Sequence, residues 1–222
     1  MSEVHEPAPS SPLPRPGRVE ALVDGIYAVA MTLLVLDIKL PDDVRFSSND
    51  DMLRHFGTVE FTFTTYVISF FVLAIFWTLH HFQFRFVVKL DRGLLWINFF
   101  FLLFTTLVPF TTSLVAGHEY LHVPLLLYAT NLLLLFVTLT LHLDRLHRVP
   151  GLASPELTPA LARAMGRRLA FVCVLPVLAA SVGMFSPQWG LRVFYLMALL
   201  HFLSPLIDRV AARSAAVRHP GR

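Results

Sequence analysis

Six runs of about 20 mostly apolar residues, each bounded by charge, Gly or Pro, leave this chain few architectures. A run of that length spans the hydrocarbon of a bilayer as a helix, and in lipid the backbone must satisfy its own polar groups. The runs are Val19–Ile38, Val59–Phe84, Leu94–Ala116, Val123–Leu143, Leu169–Phe185 and Trp189–Ile207. The fold class expected is an all-α membrane protein with six transmembrane helices per subunit. Composition agrees: 55% of the 222 residues are hydrophobic, against about 45–50% in soluble domains, and mean hydropathy is +0.64.

Pro41, Asp42 and Asp43 close the first run, Asp91 to Gly93 separate the second from the third, and Gly117 to Glu119 the third from the fourth. Ser186-Pro187-Gln188 predicts a tight hairpin between the last two. The longest polar loop expected is Asp144 to Arg168, with a short surface helix over 160–168. The domain plan is a disordered, Pro- and Ser-rich N-terminus over 1–17, a six-helix domain over 18–208 and a tail over 209–222. The first apolar run starts too late and runs too long for a signal peptide.

Basic residues orient the chain. With the N-terminus inside, fourteen of the 18 Lys and Arg fall on inner segments, so both termini are expected to be cytoplasmic. Asp42, Asp43, Asp50 and Asp51 make the first outer loop acidic, a character that gathers cations. Net charge of +3 does not point to nucleic acid, because the arginines flank membrane segments rather than form a patch. The single cysteine, Cys173, excludes an intrachain disulfide and reads as a packing residue.

Function concentrates in the first run, which carries an acid, Asp24, one turn inside its start. An ionisable group in a membrane segment is costly, so Asp24 reads either as a structural polar anchor or as an anchor that also holds a pore helix in register. At 100° per residue, Val29, Leu33 and Leu36 form one stripe with Thr32 on its shoulder, and Asp24 lies about 140° from Val29. The stripe reads either as ordinary packing or as the wall of an ion path, with Asp24 turned to neighbouring helices. In the second run Trp77 and His81 share a face with Phe70. Asn98 opens the third at the same depth. Asp24, Trp77, His81 and Asn98 can satisfy one another between helices. His80 and His81 are a poor chelate, being adjacent on a helix, and Pro109 and Pro176 are expected kinks. His142 and His147 read as interfacial and His201 as packed within the membrane. A pair of such histidines holding haem is the redox alternative. No nucleophile elbow, P-loop, HExxH or CxxC is present, so no enzyme motif is found.

Arg18…Asp24-Gly25-Ile26-Tyr27-Ala28-Val29-Ala30-Met31-Thr32-Leu33-Leu34-Val35-Leu36-Asp37 resembles the first helix of the transmembrane protein 175 family, in its bacterial six-helix form. Ser69-Phe70…Phe76-Trp77…His80-His81, Asn98…Pro109-Phe110 and Tyr128…Asn131 resemble its next three helices. The family hallmark is Arg, three residues, then Phe-Ser-Asp; here Leu22 and Val23 stand at the Phe and Ser positions. The resemblance implies a potassium channel of the plasma or inner membrane: a homotetramer with the first helices lining a central pore. Val29, Leu33 and Leu36 would form a hydrophobic constriction, with Thr32 facing the pore. Arg18, Asp24, Trp77, His81 and Asn98 would form the supporting polar network. It implies weak selectivity for K+ over Na+ and no cofactor, with proton conduction the nearest alternative.

Overall fold

The computed structural model describes residues 13–38 and 46–194. Those residues are almost entirely helical: α1 (Pro16–Leu33), continued by a 3-10 turn over Leu34–Asp37, then α2 (Asn49–Thr58), α3 (Glu60–Phe84), α4 (Arg92–Gly117), α5 (His122–Arg148) and α6 (Pro159–Gly183). A further helical stretch covers 187–194. Among the described residues, five helices are long and apolar enough to cross a membrane: α1 through Leu36, α3, α4, α5 and α6. Most of the sixth expected span, His201 included, lies outside the described residues, as do 1–12 and the expected tail.

Local chemistry sets the ends. Pro16 occupies the first turn of α1, where its missing N–H costs nothing. Asp91 caps α4 by accepting from the Leu94 amide at 2.8 Å, and Thr158 caps α6 by accepting from the Leu161 amide at 3.2 Å. Three expectations change. The short surface helix over 160–168 is the opening of α6, because Thr158 and Pro159 start the helix ten residues before the apolar run. The polar loop shrinks likewise, since α5 continues to Arg148. Residues 49–58, read as part of an outer loop, form α2, capped by Ser48 with Asp50 and Asp51 in its first turn.

The bundle is built around α4, which packs on α5, α3 and α1; α5 packs in turn on α6, and α1 also touches α3. Its core is aromatic and aliphatic. Phe76 meets Phe136 at a ring separation of 4.6 Å, and Tyr27 meets Phe101 at 5.9 Å. Three buried hydroxyls join three helices: Thr112 of α4 donates to Ser69 of α3 at 2.9 Å, and Ser69 lies 3.1 Å from the Tyr128 hydroxyl of α5. Such bonds hold membrane helices together where no hydrophobic force separates helix from lipid. Pro109 lies inside α4. Five residues before it, the Phe104 carbonyl accepts from Asn131 of α5 at 3.1 Å.

One end of the bundle is latched. Val87 and Ala153 form an isolated antiparallel bridge between the α3–α4 and α5–α6 connections. Beside it, Arg145 grips Asp91 through both its Nε and Nη2. The guanidinium lies where a Cβ on Gly93 would stand, so any side chain there would have to displace it. Arg145 holds the Asp91 carboxyl below the usual carboxylate range by hydrogen bonding to its charged form.

Candidate functional site

The first helix divides sharply into two faces. Val19, Val23, Tyr27, Ala30 and Leu34 are buried against α3 and α4. Leu22, Val29, Thr32, Leu33 and Leu36 are exposed on the subunit. Exposure reaches 56% at Val29 and 62% at Leu36. The uniform 100° spacing expected for the stripe is corrected at its end. Leu36 lies in the 3-10 turn, where side chains three apart eclipse, so Leu33 and Leu36 stack more directly than an α-helix would allow. Thr32 donates to the Val29 carbonyl at 2.9 Å, which leaves its oxygen lone pairs free. A shallow apolar hollow of about 330 Å³ runs beside this face, from Leu22 past Gly25, Val29 and Leu33 to Thr106 of α4.

The expected polar set separates into two clusters. In the first, Trp77 Nε1 donates to Asp24 Oδ1 at 2.8 Å. One turn on, His81 Nδ1 lies 3.3 Å from Glu20 Oε1, and the Trp77 and His81 rings stack at 5.3 Å. Residues i and i+4 of α1 thus meet i+4 and i of antiparallel α3. This ladder is solvent-accessible on the isolated subunit: His81 is 46% exposed and Glu20 37%. Asp24 turns toward α3 as its angle implied, but at the edge of the contact rather than inside it. Arg18 is exposed and makes no side-chain hydrogen bond or ion pair among the described residues.

Asn98 belongs to the second cluster, which is buried. Its Oδ1 lies 2.7 Å from His80 Nε2, and its amide donates to the Leu94 carbonyl at 2.9 Å. His80 stacks on Phe101 at 4.7 Å and on Phe84 at 5.3 Å. His142, read as interfacial, is buried beside it, with Nδ1 2.8 Å from Gln83 Oε1. The 100° offset between neighbours on a helix thus sends His81 to the surface and His80 to the core. His80 Nε2 is engaged by Asn98 and His142 Nδ1 by Gln83.

Sequence reasoning missed Glu20 and Gln83, gave His80 no partner and placed His142 at the interface rather than in the core. Each was visible as a polar residue within or beside an apolar run, and Glu20 stands four residues before Asp24. Which polar residues pair could not be read, because it depends on helix rotation. At the hallmark's departures, Val23 is buried among apolar neighbours and Leu22 is 44% exposed beside the stripe.

The family described as endosomal/lysosomal potassium channel TMEM175 matches residues 18–109. A protein of Streptomyces collinus named as a potassium channel is 32% identical over 207 residues, which cover 88% of this chain and 97% of that protein. The endosomal/lysosomal proton channel TMEM175 of Gallus gallus is 32% identical over 102 residues, covering 44% of this chain and 20% of that one. The crystal structure of a lysosomal potassium-selective channel TMEM175 homolog from Chamaesiphon minutus shares the fold. Its TM-score is 0.73, over 85% of this chain and 97% of that chain, at 24% identity.

Proposed function

The chain belongs to the endosomal/lysosomal potassium channel TMEM175 family, and we propose that it conducts K+ passively through a pore lined by α1. The family is one of ion channels, not enzymes. Four copies of a six-helix subunit, spanning residues 18–208 with both termini cytoplasmic, surround the pore in the plasma or inner membrane. Residues 1–17 and 209–222 are its cytoplasmic segments.

The observation that carries this reading is the exposed face of α1. Val29, Leu33 and Leu36 are large apolar side chains on one line, and Thr32 flanks them with an available hydroxyl oxygen. Around a four-fold axis they form stacked apolar rings with one layer of oxygens. An ion passing such a ring sheds part of its hydration shell, which costs the smaller Na+ more than K+, and a ring that dewets closes the path. Selectivity is therefore weak and set by width. The hollow beside the stripe receives the neighbouring subunit. The Glu20–His81 and Asp24–Trp77 rungs set the height of α1 against α3, and Asn98 serves from the core by fixing His80 between α3 and α4. Arg18 has its partner across the subunit boundary.

Potassium against sodium flux into liposomes holding purified protein tests this reading, with subunit count measured beside it. No potassium flux from an assembled tetramer would overturn it. Proton conduction is the second reading, favoured by the name of the vertebrate relative. A pH gradient that collapses across potassium-free liposomes would support it.

A further inference from the structure

At the end of the bundle opposite the Asp91–Arg145 latch lies a polar cavity that the pore does not use. It holds about 420 Å³ and is lined by Glu60, Phe61, Glu119, Gln188, Leu191 and Arg192 among others. That volume lies within the roughly 300–1,000 Å³ of small-molecule sites. Its charges come from three separate elements: Glu60 from the first turn of α3, Glu119 from the α4–α5 connection, and Arg192 from the stretch over 187–194. They form no ion pair with one another among the described residues, although they share one hollow. Glu119, beside Tyr120, pushes that phenol above its ordinary range. The Arg192 guanidinium sits 4.5 Å over the Trp189 ring. Trp189 also borders a second hollow of about 270 Å³, apolar and lined by Ser181, Val182, Phe185 and Ser186.

Two carboxylates and a guanidinium around one cavity match a ligand that carries an ammonium and an oxyanion a few atoms apart. An apolar groove joined to that cavity through a Trp ring matches a ligand that also carries hydrocarbon. Trp side chains at the ends of membrane helices stand at headgroup level. We propose that this cavity binds the headgroup of a zwitterionic phospholipid with a primary ammonium. Arg192 takes the phosphate, Glu60 and Glu119 take the ammonium, and the groove beside Trp189 takes the start of an acyl chain. Carboxylates distinguish a primary from a quaternary ammonium because only the former donates N–H bonds, and charge-assisted bonds are the strong ones. The bound lipid ties α3, the α4–α5 connection and the 187–194 stretch together and braces that end of the bundle. This site is independent of the conduction reading and its test does not use flux.

The test is thermal unfolding and native mass spectrometry of the full chain in detergent. Phosphatidylethanolamine, phosphatidylcholine and phosphatidylglycerol with the same acyl chains are added in parallel, with phosphorylethanolamine as the free headgroup. Phosphatidylethanolamine should remain bound and raise the midpoint by roughly 5–10 °C at about 100 times its Kd, with smaller shifts for the other lipids. Glu119→Gln and Arg192→Gln should each abolish the difference between lipids, each variant being compared with its own lipid-free midpoint. If either fails to fold, Glu60→Gln, an exposed position, stands in for it. Equal shifts for the three lipids, or a preference that survives the variants, would overturn the proposal. Equal stabilisation by phosphorylethanolamine would overturn the lipid assignment in favour of a soluble zwitterion.

Discussion

Trp77 Nε1 donates to Asp24 Oδ1 across 2.8 Å, and this bond is a direct polar tie between α1 and α3. The neighbouring rung, His81 with Glu20, repeats it one turn away. The two rungs fix both height and rotation of α1, and rotation decides which side chains it turns away from α3 and α4.

Trp77→Phe leaves an aromatic ring to stack on His81 and removes the donor. It should cost on the order of 1–2 kcal/mol, measured by denaturant unfolding in detergent. Asp24→Ala should act mainly on assembly, lowering the tetramer share on sizing several-fold. A normal tetramer with only conduction altered would place Asp24 in the pore instead.

Leu36→Ala and Val29→Ala widen the proposed rings. Each should raise Na+ permeability relative to K+ by several-fold in liposome flux. Unchanged selectivity in both variants would remove the stripe from the ion path. Leu103→Ala, on an exposed face of α4, is the control and should leave selectivity unaltered.

The latch between Asp91 and Arg145 is pH-dependent. The Asp91 carboxyl titrates below its ordinary value in the folded chain. Its stabilising contribution is therefore complete above the unfolded value, about 3.9, and is lost as pH falls through the depressed one. The wild type should lose stability on acidification below about pH 4 more steeply than Asp91→Asn, read by unfolding midpoint across pH. Gly93→Ala should mimic the loss of the pair at neutral pH, because the new methyl displaces the guanidinium, at about 0.5–3 kcal/mol.

Two glycines should behave oppositely. A Cβ on Gly190 would stand 2.7 Å from the Ala179 carbonyl and 2.7 Å from Gly183 Cα. These are backbone atoms that cannot turn away, so Gly190→Ala should destabilise by about 1–3 kcal/mol. A Cβ on Gly166 meets nothing within 4 Å, and Gly166→Ala should be neutral or gain up to about 1 kcal/mol of helix propensity. Unfolding midpoints of the two variants check both.

Apolar length by itself placed the second, third and fourth runs within a few residues of α3, α4 and α5, because only a helix satisfies such a run in lipid. It placed α6 badly, since that helix begins in polar sequence capped by Thr158. It overlooked α2, a ten-residue helix too short and too polar to register as a span. Of the candidate site, the stripe and the Trp77–His81 face were legible from spacing, which a single helix sets alone.

The sequence therefore determined that the chain is helical and membrane-embedded, which family it joins, and that Asp24 and the Val29–Leu36 stripe occupy different sides of one helix. Only the tertiary structure decided that Asp24 pairs with Trp77, that Asn98 pairs with His80 rather than His81, and that Glu20 and His142 belong to these clusters. Spacing along one helix is fixed by its own hydrogen bonds. Which faces meet is fixed by how several helices rotate to bury their side chains, and no single helix carries that information.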